Sequence, residues 1–254
     1  MNADNPLHGI HLPAAYEPVH LPACDSVQAE AVRRARAGAP EGTLVWAGEQ
    51  TAARGRLHSH WLSPAGGMYC AVVLRPELPT ARLGEFVPLA TVAMGAACAE
   101  LVSAMTDLRY RWPNAVYLSG ARASGSWLSY GPEWLVLTSA VNVLPTAAED
   151  DFRHACLRTE GGNEAVTVAT ALEAYIRHLT AWLMRWDEEG FVPVLRSLRS
   201  RAQRPGDAVR LRLSENDALA GTFASINEHG AMCLTAPDGA HEIGINQFMA
   251  LPVC

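Results

Sequence analysis

The sequence predicts an α/β protein of the α+β type: a mixed sheet with flanking helices over residues 1–205, followed by a small β-barrel over 206–254. Three observations carry this. Short apolar runs alternate with segments of helical period as far as residue 200. Arg199, Arg201, Arg204, Arg210 and Arg212, with Pro205-Gly206 among them, then interrupt the texture and read as a solvated linker. Beyond them, strand-like runs separated by turn residues fill the remaining chain, the pattern of a small closed sheet.

The elements follow in order. Residues 1–20 hold Pro6, Pro13 and Pro18 without a clear period, so they form an arm or edge segment. Asp25 or Ser26 caps a helix that runs to Ala37, Gln28 stands at capping-box spacing from Asp25, and Gly38 and Pro40 end it. Thr43–Ala47 is a strand, residues 48–67 a long polar loop, and Met68–Arg75 a second strand. Residues 86–105 carry one charge, Glu100; small residues and Pro88 make them a buried core helix rather than a membrane span. Strands follow at 108–111, 115–118, 125–130 and 134–143, then helices at 148–158, 165–188 and 191–199. The last strands are 209–213, 219–226, 231–235 and 242–245.

Composition narrows the chemistry. With 254 residues, 49% hydrophobic and 18% charged, the chain can bury a large core. A net charge of -6 argues against a duplex-binding surface, so no nucleic-acid or membrane partner is expected. All 20 basic residues are arginine, which excludes Schiff-base and P-loop lysine chemistry. Six cysteines lie scattered without a CxxC, and residues 1–12 lack a secretory pattern; both place the protein in a reducing cytoplasm. His58 and His60 have no third ligand at useful spacing and read as surface histidines, so no protein-held metal is expected.

The candidate site is the loop Glu49-Gln50-Thr51-Ala52-Ala53-Arg54-Gly55-Arg56, followed by Trp61-Leu62-Ser63-Pro64. Two arginines around a glycine, directly after an apolar strand, offer cations and open backbone to a carboxylate or phosphate. A polar loop of this length inside a compact domain is usually functional.

With Asp25-Ser26, Arg111-Trp112-Pro113-Asn114, Tyr117-Leu118, Gly125, Asn142, Glu188-Glu189-Gly190-Phe191 and Gly221–Leu234, this loop resembles the biotin protein ligases, in the superfamily that includes lipoate ligases. The resemblance implies a ligase-type domain and a C-terminal SH3-like domain, without the winged-helix DNA-binding domain of the family's repressors. It implies formation of an acyl-adenylate from biotin, or a related carboxylic acid, and ATP with Mg2+. The acyl group would then pass to a lysine of a biotinyl- or lipoyl-type carrier protein. By the same resemblance Arg54 and Arg56 hold the carboxyl-phosphate end, Ser26 and Gln50 touch the acid, Trp61 stacks on adenine, and Asn114 and Asn142 sit near the adenylate.

The departures define the alternatives. Arg122 stands where the family keeps its catalytic lysine, Ala115 where it has an aspartate, and Val27 where it has a threonine. Ala53, Thr138 and Ala140 replace glycines, and glycine is what lets a ligand approach backbone closely. Arg122, Arg54 and Arg56 are the candidate catalytic cations; Ser26, Gln50, Ala53, Trp61, Asn114 and Asn142 are the candidate ligand contacts. Three readings follow: a divergent ligase, a non-catalytic binding homologue, and a transferase taking a preformed acyl group.

Overall fold

A computed structural model describes residues 10–58, 61–145 and 154–249. The central sheet has the order β1-β2-β3-β8-β7, built from β1 (Glu17–Leu21), β2 (Thr43–Ala47), β3 (Gly67–Leu74), β7 (Ser124–Gly131) and β8 (Trp134–Asn142). β1 runs parallel to β2 and the other pairs are antiparallel, so the sheet is mixed. β1 is the edge strand that the proline-rich arm suggested. A second sheet joins β4 (Leu108–Arg111), β5 (Ala115–Leu118) and the two-residue β6 (Ala121–Arg122).

Helix α1 (Val27–Arg36) packs on β2, β3 and β8, while α2 (Phe86–Leu101) and α3 (Val168–Glu189) pack on β7, β8 and β3. All eight residues of β3 are buried, which is why the strand reads as a continuous apolar run rather than an alternation. α2 is buried along most of its length, so its apolar sequence serves a core helix. The helix α4 (Val192–Ser200) closes this part of the chain.

The C-terminal unit is a four-stranded antiparallel meander of β9 (Ala208–Arg212), β10 (Ala218–Ile226), β11 (Met232–Ala236) and β12 (Gly239–Ile243), followed by the short helix α5 (Ile245–Met249). β9 and β12 lie at opposite edges, so the pairing among the described residues is that of an open sheet. The meander shares one apolar core with the rest of the chain through Val209, Phe223, Ile226 and Phe248. The buried Trp112 indole donates to the Gly230 carbonyl at 2.8 Å, and Arg199 Nε donates to the Ile226 carbonyl at 2.9 Å. The arginine run is solvated as expected, with all five arginines exposed, but it is not a bare linker: it covers the end of α4 and β9, and the Arg199 side chain and the Arg201 carbonyl bond neighbouring elements.

Ser26, one of the two expected caps, caps α1, its Oγ accepting from Ala29 N at 3.3 Å, while Asp25 pairs with Arg33. Three other local expectations change. Gln28 forms no capping box and donates to Ser129 Oγ instead. Residues 154–158 are not helical: Ala155 N donates to the Arg122 carbonyl and Leu157 N to the Asn142 carbonyl, an extended segment docked along distant strands. The remainder of that expected helix, and His60, lie outside the described residues. The expected last strand is instead β12 ending at Ile243, with α5 starting at Ile245. The five described cysteines are free.

Candidate functional site

The loop between β2 and β3 is fastened at its base. Gln50 forms isolated bridges with Cys24 and Ser63. Its side-chain oxygen accepts from Val27 N at 2.9 Å, and its amide nitrogen donates to Ser63 Oγ at 2.8 Å. Ser26 and Gln50 thus hold the start of α1 against the loop. Both line a small inner cavity of about 10 Å³, together with Ala53, Trp61, Trp127 and Thr138. That volume is about what one water needs.

A second, open cavity of about 610 Å³ adjoins it, with Arg54, Arg56, Leu57 and the turn Ser214-Glu215-Asn216 on its wall. Gln28, Arg54 and Trp127 belong to both walls. Leu57 takes φ 54° and ψ 40°, the left-handed region that non-glycine residues rarely enter, and this bends the chain just after Arg56.

The arginines divide. Arg56 faces the C-terminal unit: its guanidinium donates to the Phe248 carbonyl at 3.3 Å and to the Arg212 carbonyl, and stacks 4.1 Å over the Phe248 ring. Burial, and then the neighbouring Arg212, lower its pKa below the usual arginine value. Arg122, on β6, lies 4.6 Å over the Trp61 ring and donates from Nε to the Ser124 carbonyl at 3.2 Å. Burial lowers its pKa, and no carboxylate among the described residues pairs with it. Gly125 permits this placement: a Cβ there would stand 2.7 Å from both Arg122 Nη2 and the Trp127 ring.

Ser26, Gln50, Ala53, Trp61 and Arg54 are therefore brought together around the inner cavity. Arg54 and Arg56 meet on the outer one, and Arg122 reaches the group through Trp61. Asn114 and Asn142 line neither cavity. Asn114 Nδ2 donates to the Ser126 carbonyl at 3.1 Å and Asn142 Nδ2 to the Ala155 carbonyl at 3.1 Å, so both side chains brace strands. Sequence reasoning missed Trp127, Gln28 and the turn at 214–216. Trp127 had a signal, since it shares a strand face with Gly125; the turn is brought in from far along the chain and had none.

Fold and site together define a two-part protein: a mixed sheet carrying an arginine-bearing loop, with a small β unit against it. The chain belongs to the Biotin/lipoate A/B protein ligase family, whose profile matches residues 12–200. It is 31% identical over 236 residues to a biotin–[acetyl-CoA-carboxylase] ligase of Paracoccus denitrificans, covering 86% of this chain and 94% of that protein. It is 27% identical to the bifunctional ligase/repressor BirA of Bacillus subtilis, covering 86% of this chain and 69% of that protein. Among solved structures, the Aquifex aeolicus biotin protein ligase in complex with biotin and ATP superposes with a TM-score of 0.74 at 24% identity, over 89% of this chain and 95% of that one. A biotin protein ligase-like protein of unknown function from Silicibacter sp. TM1040 gives the same score at 22% identity, over 94% and 98% of the two chains.

Proposed function

We propose that this protein is a divergent ligase of its family: it joins a carboxylic acid, biotin or a smaller relative, to ATP as an acyl-adenylate and transfers the acyl group to a lysine of a carrier protein. The observation that carries this reading is Arg122. A half-buried cation stacked on Trp61, with no carboxylate among the described residues to balance it, favours an anion beside it. Arg54, which lines both cavities, would be the second cation, between the acid end of an inner ligand and a phosphate in the outer cavity. The ligase-type domain is taken as residues 1–205 and the SH3-like unit as 206–254.

The steps balance without further groups. A carboxylate oxygen of the acid attacks the α-phosphorus of ATP and pyrophosphate leaves. The carrier lysine's neutral amine then attacks the acyl carbon, AMP leaves with the bonding electron pair, and the proton lost from the amine passes to solvent. Arg54 and Arg122 would hold the charge that builds on the phosphate oxygens. Arg56 fixes the outer wall by tying the loop to Arg212 and Phe248. Among the described residues no three His, Cys, Asp or Glu side chains converge to hold a metal, and Ala115 leaves no carboxylate on β5. The described residues therefore do not fit a resident magnesium; any magnesium would arrive with the nucleotide phosphates.

The test is ATP-dependent pyrophosphate release with a panel of acids, including biotin, lipoate, octanoate and short hydroxy acids. Release with one of them supports the ligase. The tightness of the inner cavity favours a second reading, a binding homologue without turnover. That reading predicts acyl-adenylate binding by calorimetry with no release for any acid.

A further inference from the structure

Trp127 stands on the wall between the two cavities. Its indole is 8% exposed and meets Trp61 edge-on, ring centroids 4.7 Å apart at 78°. With Ala53, Thr138 and Ala140 it leaves the inner cavity only about 10 Å³. Two polar atoms of the lining are buried with no hydrogen-bond partner, Thr138 Oγ1 and Trp61 Nε1. Thr138 is 6% exposed, so water does not meet its hydroxyl freely. A buried polar atom without a partner is uncommon and costs about 1–3 kcal/mol. The neighbouring Ser139 is already satisfied, bonded to Ser126 at 3.0 Å and to the Tyr175 hydroxyl at 2.6 Å. The two orphan atoms therefore belong to residues that line the cavity, beside Gln50 and Ser139, whose side chains are paired. One is a donor only and the other can donate or accept.

We infer that Trp127 and Thr138 set the substrate class: the acid is short and ends in a small oxygen function, and a fused bicyclic acid is rejected. The end group would accept from Trp61 Nε1 and exchange a hydrogen bond with Thr138 Oγ1. The carboxyl end would lie toward Arg54, on the wall shared with the outer cavity. Trp127 fills the space a larger ring would need, and its own packing depends on the absence of a Cβ at Gly125. This inference rests on the acyl-adenylate reading above and adds the chemistry of the acid.

The test uses the full-length protein and three non-hydrolysable acyl-sulfamoyl adenosines, carrying butyryl, 4-hydroxybutyryl and biotinyl groups. Binding is read by calorimetry, so turnover is not required. The unsubstituted protein should bind the hydroxybutyryl compound at least roughly tenfold more tightly than the biotinyl one, the scale at which a pocket discriminates small size changes. Trp127→Leu should reverse that order. Thr138→Ala, which leaves Trp127 in place and keeps the fold should Trp127→Leu fail to melt cooperatively, should bind hydroxybutyryl and butyryl compounds equally. An unsubstituted protein that prefers the biotinyl compound, or a folded Trp127→Leu variant with an unchanged order, overturns the inference while leaving the ligase reading intact. Failure of all three compounds to bind the folded proteins sinks the acyl-adenylate reading itself, and the inference with it.

Discussion

The guanidinium of Arg122 lies 4.6 Å over the ring of Trp61, and the same indole meets Trp127 edge-on. This stack connects Arg122, the cation on which the proposed function rests, with the wall that narrows the inner cavity. A planar guanidinium stacks on an indole in a way an ammonium on a flexible stem does not. The arginine at 122 and the two tryptophans therefore form one packed unit.

Arg122→Met should lower ATP-dependent pyrophosphate release by roughly 10²–10³-fold, the usual loss when one preorganised charge-stabilising group is removed. The melting temperature should not fall, because the substitution removes a half-buried cation that no described carboxylate balances. Arg122→Lys should lie between the two, keeping the charge and losing the stacked fork. Rates and melts on the three proteins check this; a large drop in melting temperature for Arg122→Met would make Arg122 structural.

Gln50→Ala should cost about 1–3 kcal/mol by urea denaturation, since it leaves the Val27 N–H without its acceptor at a buried position. Ser26→Ala removes the cap of α1 and should cost about 1 kcal/mol. Equal, negligible effects from both substitutions would mean that these side chains act on ligand alone.

Arg56→Ala should loosen the C-terminal unit. It removes charge-assisted hydrogen bonds to the Phe248 and Arg212 carbonyls, each worth about 1.5–3 kcal/mol at most, and the stacking on Phe248. Hydrogen exchange should quicken in α5 and at the end of β9 and stay unchanged in β3. Unchanged exchange in α5 would contradict the role given to Arg56.

Much of this was legible in the chain. β2, β4 and β5 have the bounds their apolar runs suggested, and α3 has the span of its helical period. These are elements whose own residues decide them. The segment at 154–158 was not, because its backbone partners are the distant Arg122 and Asn142 carbonyls. The pair Arg54 and Arg56 marked the loop as a candidate site, yet nothing near Arg56 announces Phe248 as its partner. Asn114 and Asn142 resemble ligand contacts in sequence, whereas in the fold they brace β7 and the segment after residue 153. Sequence shows residue type and register; which face a side chain meets is decided by the tertiary packing.

Alkaline pH should destabilise the fold. Burial raises the Cys24 thiol to about 11 and the Cys70 and Cys98 thiols to about 12, from 9.0. Burial also raises the Tyr110 hydroxyl to about 12. A folded-state pKa above the unfolded one gives stability that is full below the unfolded value and lost as pH rises through the folded value. The melting temperature should therefore be level up to about pH 9 and fall between about 9 and 12. Alkylation at pH 8 should likewise modify Cys233 before Cys70 or Cys98, which are buried. Rapid labelling of Cys70 in folded protein would contradict this.

Acyl transfer to a carrier lysine is the central step of the proposed function. The direct measurement is intact-mass spectrometry of a biotinyl-type carrier domain incubated with this protein, ATP and one acid at a time from the panel. The predicted result is a mass gain equal to one acyl group on the carrier lysine, dependent on ATP and greatly reduced with Arg122→Met. A carrier left unmodified by every acid, while an active biotin protein ligase modifies the same preparation with biotin, would contradict it.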